Sequence, residues 1–212
     1  MNHPSSLLVP PPATSLAVAA HAWLVEACEP QLVGHCERSY QFSAAIAREE
    51  AIEVDLEVLY VGTILHDLGL SPSCVGPARF EPRGANAARS WLLEQGMDRV
   101  RAESVWDVIA LHASGELAKH KSAETAVANR GISADVRGVA PATLPPEVVR
   151  AVLDTHPRHG FPAAMAELLA AEVQAVPDVV RMSWLESIAV RHVPGYRPSD
   201  FEAVLRASDG FV

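Results

Sequence analysis

Apolar positions recur at helical spacing along almost the whole chain. Leu56, Leu59, Tyr60, Thr63, Ile64 and Asp67 form one continuous stripe, and Val105, Val108, Ile109 and His112 form another. Valine is common, yet no run alternates apolar and polar residues as a half-buried strand does. The pattern predicts an all-α helical bundle. Helices are expected over residues 14–28, 34–49, 55–69, 84–95, 99–112, 122–136, 146–154, 162–175, 177–191 and 199–207. Pro30 is expected to break the chain, residues 71–82 to form a Ser-, Pro- and Gly-rich loop, Gly131 to interrupt its helix, and residues 140–146 to link two helices. The proline-rich residues 1–13 read as a flexible arm and residues 14–212 as a single domain.

Composition narrows the function. The chain has 212 residues, 49% hydrophobic, so a sizeable core is affordable in area terms. Its formal net charge of −9, with no basic run, speaks against nucleic acid as a partner and mostly for solubility. Ser15 to Cys28 is apolar but short and carries His21 and Glu26, so no membrane span or membrane partner is expected. Cys28, Cys36 and Cys74 form no CxxC pair and read as reduced thiols in a cytoplasmic protein. Nothing in the sequence opposes a homo-oligomer.

The chemistry centres on His66-Asp67, at the end of an apolar helical run. A buried imidazole and carboxylate need partners, and a metal ion is among the best. His35 lies upstream, and His112 and Asp135 lie downstream, each in its own apolar helical context. Imidazoles and carboxylates gathered from separate helices suit a divalent transition metal. His35, Arg38, Ser39 and Phe42 share one face. Taken singly, each residue has a plainer account: a structural histidine with Arg38 at the surface, a solvated helix end for His66-Asp67, or a capping role for Asp135.

Together, His35, then His66-Asp67, then Asp135 resemble the HD-domain superfamily, an all-helical metalloprotein fold. The segments 35–40, 59–69, 79–81, 84–89, 106–112 and 134–138, with His192-Val193-Pro194-Gly195, are similar to its cyanamide-hydratase-like branch. The resemblance implies one divalent metal, zinc first with iron, manganese or nickel as alternatives, held by His35, His66, Asp67 and Asp135. It implies a hydrolase or hydro-lyase that adds activated water to a small polar molecule. His112 and Glu81 are then the expected proton carriers, and Arg38 either holds substrate or orients a ligand carboxylate. Thr63, Phe80 and Trp106 are expected near the pocket, Trp106 more as core. The branch pattern departs at Pro82-Arg83, Ala113 and Pro162. These changes imply a substrate larger than cyanamide, or anionic, received by Arg83 or Arg38.

Three other functions compete. A nucleotide phosphohydrolase is disfavoured because Leu68-Gly69-Leu70-Ser71, with no Lys or Glu, follows the His-Asp pair. A two-iron oxygenase needs more histidines than His112 supplies. A catalytically silent metal-binding domain is the third.

Overall fold

The structure, a computed structural model, describes residues 7–208. Positions 1–6 of the expected arm and 209–212 of the expected domain lie outside the described residues. Helix α1 (Ser15–Ala27) is capped by the Thr14 hydroxyl, which accepts from the Ala17 amide at 3.1 Å. Pro30 opens α2 (Pro30–Glu49) rather than ending anything before it, because proline's fixed φ and missing N–H suit a first helical turn. The Asp55 carboxylate accepts from the Glu57 and Val58 amides and starts α3 (Leu56–Leu65). A short 3-10 turn (Leu68–Leu70) then carries the chain away.

The expected loop is shorter than its composition suggests. Helix α4 (Phe80–Glu94) starts before Pro82, which falls in the first turn where proline is tolerated. There follow α5 (Arg99–Leu111), α6 (Gly115–Ala118), α7 (Ala123–Arg137), α8 (Pro146–Thr155) and α9 (Phe161–Ala175). Residues 177–185 form turns instead of the expected helix, which reduces to α10 (Glu186–His192). Met182, at φ 58°, breaks any helical run there, and the Ser183 hydroxyl bonds locally to the Val180 carbonyl. Helix α11 (Phe201–Arg206) follows the Asp200 cap. No strand occurs among the described residues.

Helices α2, α3, α5 and α7 pack around one core that includes Ile46, Leu59, Ile64, Val105 and Ile132. A smaller cluster joins Phe80 to Val173, Val180, Leu185 and Ala189 from the C-terminal segment. The described part of the expected arm is docked, not free. Gln41 of α2 exchanges two 3.0 Å hydrogen bonds with the Val9 backbone, and the Tyr40 hydroxyl donates to the Pro10 carbonyl.

Gly131 does not interrupt α7; it lets α7 lie against α2. A Cβ there would fall 2.8 Å from the Ser43 Cα, a backbone atom with no freedom to move aside. This contact sets the distance between the helices that carry His35 and Asp135. Gly131→Ala should therefore lower stability in urea melts by about 1–3 kcal/mol through overpacking, despite alanine's better helix propensity. A variant as stable as wild type would show that the helices can separate at no cost.

Candidate metal centre

The α2–α7 pairing brings His35 and Asp135 together in a fully buried contact. His35 Nδ1 donates to Asp135 Oδ2 at 2.7 Å. The end of α3 delivers His66, and the residue after it delivers Asp67; both are buried. The end of α5 delivers His112.

All three imidazoles share one orientation. The Nδ1 of His66 faces the Thr63 carbonyl at 2.8 Å, and that of His112 faces the Ile109 carbonyl at 2.7 Å. Each acceptor fixes the proton on Nδ1, so each Nε2 presents a lone pair to the centre. His35 and His66 then face each other Nε2 to Nε2 at 3.1 Å. Two acceptors at that distance repel unless a cation lies between them. Asp67 Oδ2 completes the triangle, 3.1 Å from His66 Nε2 and 3.5 Å from His35 Nε2.

The triangle fits a divalent ion. Bonds of about 2.0–2.2 Å at tetrahedral to octahedral angles put neighbouring ligand atoms about 2.9–3.5 Å apart. His35, His66 and Asp67 are a group of ligand atoms close enough to share one ion. The charges agree. Burial opposes ionisation of Asp67, but the imidazoles of His66, His112 and His35 outweigh it and hold its pKa well below the usual carboxylate range. Burial also opposes charge on His66, yet Asp67 and the Thr63 carbonyl raise its pKa. The site thus favours positive charge between these groups. Burial, reinforced by His66, pushes His112 down to about 4, so its Nε2 is a neutral acceptor near pH 7.

Several expected roles change. Asp135 is not in the ligand triangle: it stands behind His35 and holds its Nδ1. Its oxygens also accept from Arg38 Nε at 2.8 Å and Nη2 at 3.0 Å. Burial works against the Asp135 charge, but His35 and Arg38 prevail and keep its pKa low. Arg38 is neither at the surface nor in the cavity. It is 1% exposed, and its remaining donor reaches the His156 and Pro157 carbonyls. Of its two expected roles, orienting a carboxylate is the one its contacts allow.

Glu81 is buried but does not line the cavity. Its Oε1 accepts from Trp184 Nε1 at 3.2 Å, and burial raises its pKa. Its contacts position Trp184 rather than carry a proton to the centre. Thr63 is spent on the Leu59 and Tyr60 carbonyls of its own helix. Trp106 bonds to Asn86 away from the cavity, consistent with its expected core role. Arg83 does not face the site: it bonds Glu172 and four backbone carbonyls of the 3-10 turn and the loop.

A cavity of about 220 Å³ opens onto the triangle. Its floor is His35, His66, Asp67 and His112, and Phe80 lines it as expected. The remaining walls include Ile132, Val136, Met165, Leu169 and Trp184. Phe161 stacks on His35, centroids 4.5 Å apart. The wall residues from α9 and the following turns carry no motif. Their apolar character reads as ordinary helix core, so sequence spacing gave no signal for them.

The fold and this centre define an all-α protein with a buried His-His-Asp metal-binding cluster. A family model for the HD domain matches residues 32–155, more than half of the chain. The chain therefore belongs to the HD-domain family, whose members are generally metal-dependent hydrolases. A comparison with curated proteins finds no match.

The geometry makes a distinguishing prediction for zinc-loaded protein. His66→Ala should lose nearly all bound metal in elemental analysis. Asp135→Asn should bind one metal per chain at saturation, with affinity lowered about 10–100-fold, as for loss of an outer-shell partner. Complete loss of metal in a folded Asp135→Asn variant would make Asp135 a direct ligand.

Proposed function

We propose that this cavity is the active site of a metal-dependent hydrolase or hydratase that adds water at carbon in a small polar substrate, in the manner of the cyanamide-hydratase-like branch. The observation that carries this is the cavity's division. One face gathers Nε2 and carboxylate donors; nearly all other walls are apolar. Arg38, Arg158 and Arg83 are each tied to carboxylates, and Arg137 lines the cavity singly, on an exposed part of its wall, so among the described residues no cluster of cations surrounds the ligand triangle itself to receive the reacting phosphoryl group of an ester. The branch-level motifs and the net charge of −9 add support for a small, non-nucleic-acid substrate.

His35, His66 and Asp67 would hold the metal, zinc in first place. A divalent cation there supplies Lewis acidity, which makes water nucleophilic near neutral pH. Asp135 and Arg38 keep His35 in its tautomer and orientation. His112 Nε2 lies 3.6 Å from Asp67 Oδ1 and opens on the cavity floor. It accepts the proton of the attacking water as the new carbon–oxygen bond forms. For a nitrile or cyanamide it returns that proton to the nitrogen, giving an imidic acid or isourea, and the remaining O–H proton then moves to the same nitrogen as the amide or urea forms. The apolar walls exclude bulk water and fix the substrate's reacting carbon over the donors.

The same donors suit hydrolysis of a phosphate ester, so the decisive test is comparative. Zinc-loaded protein should turn over at least one member of a panel of nitriles, cyanamides and amides, and leave nucleoside monophosphates intact. Turnover of monophosphates alone would establish the phosphohydrolase, and a metal-loaded protein inert to the whole panel would favour a silent binding domain. His112→Ala should keep its metal and lose activity by ~10²–10⁴-fold, the usual contribution of a proton carrier.

A further inference from the structure

The substrate's remaining chemistry can be read from the far wall of the cavity. Among the described residues, Arg137 is the one cationic side chain, apart from histidines, that lines it. It lies on α7, one turn after Ser133, and the two share the cavity-facing side of that helix. The neighbouring arginines are engaged. Arg38 and Arg158 are held on Asp135, and Arg130 is held on Glu50. Arg137 makes no ion pair or side-chain hydrogen bond among the described residues, and it is exposed while the ligand triangle is buried.

Ser133 and Arg137 also line a second cavity of about 430 Å³, bordered by Gly115, Lys119, Asn129 and Pro141. None of the ligand triangle lines that second space. Arg137 therefore stands at the boundary, away from the reacting end. The first cavity, at about 220 Å³, is larger than a three-heavy-atom molecule fills. In a protein of net charge −9, an anion gains little from the overall field, so a local guanidinium decides whether it is accepted.

We propose that Arg137 is the specificity-determining residue of this site: it receives an anionic oxygen group, carboxylate or phosphate, at the far end of a substrate whose apolar middle lies along Val136, Met165 and Leu169. A fork of donors matches either group, and the Ser133 hydroxyl adds a third donor on the same face. This inference rests on the water-addition reading for the identity of the reacting end, but not for the anion site itself.

Binding can be separated from turnover by placing the reference chain and each arginine variant in the His112→Ala background, zinc-loaded and full-length, in calorimetry at low salt. The probes are ω-cyanoalkanoates, ω-cyanoalkyl phosphates and neutral alkanenitriles of equal length. With Arg137 intact, the protein should bind the better anionic series at least about tenfold more tightly than the neutral one. Arg137→Gln should erase that preference, a loss of about 10–100-fold as for a charged hydrogen bond, while neutral binding stays unchanged. Arg137→Lys should keep part of the preference, and Arg99→Ala, at an exposed position outside the cavity, all of it. The carboxylate and phosphate series tell which group is accepted. Equal binding of anionic and neutral probes, or a preference that survives Arg137→Gln, overturns the proposal. If the preference depends on Arg137 but no member of the panel reacts at carbon, the anion site stands and the water-addition reading falls.

Discussion

The bond between His35 and Asp135 is the constraint on which the centre depends. It joins α2 to α7 in the interior, and it points the His35 Nε2 at the Nε2 of His66. A buried carboxylate between helices is costly unless its oxygens are satisfied. Here Arg38 and His35 bond it, and Arg158 stands within ion-pairing distance. Removing one member of such a buried set commonly costs about 3–5 kcal/mol, because the others are left uncompensated. The close α2–α7 approach at Gly131 makes that set geometrically attainable. Packing, electrostatics and ligand orientation are therefore one arrangement.

The inward side of the arrangement has the opposite character. Three Nε2 lone pairs and a carboxylate converge with no donor between them, and they call for a cation. The imidazoles are already fixed from behind by an acceptor on each Nδ1. Such preorganisation means that little side-chain freedom is lost when an ion binds. The C-terminal segment, outside the matched family region, supplies Met165, Leu169 and Trp184 to the wall. The ligand triangle and part of the cavity wall lie within the matched family region, and the rest of the wall lies beyond it.

Much of this was legible in the sequence, for identifiable reasons. Helical spacing located the bundle, and the conjunction of His35, His66-Asp67, His112 and Asp135 located the centre. Local rules also had limits. Pro30 reads as a break and Pro82 as the end of a loop, yet both sit in first turns, where proline is tolerated. Residues 177–191 have helical spacing, but Met182 in a left-handed conformation divides them. Roles set by distant partners left no local trace. Arg83 reads as a substrate-receiving cation and Arg38 has two open roles, because the carboxylates that hold them lie far along the chain. Phe161 and Trp184 gained their place only through tertiary packing on His35 and Phe80.

X-ray absorption spectroscopy of the zinc-loaded protein tests the central claim most directly. Its spectrum should show a first shell of nitrogen and oxygen only, at about 2.0–2.2 Å, with the outer-shell scattering of at least two imidazoles. That outer signal should weaken in His35→Ala. A sulfur shell near 2.3 Å, which Cys36 beside His35 would have to supply, or an oxygen-only shell without imidazole, would contradict the centre described here.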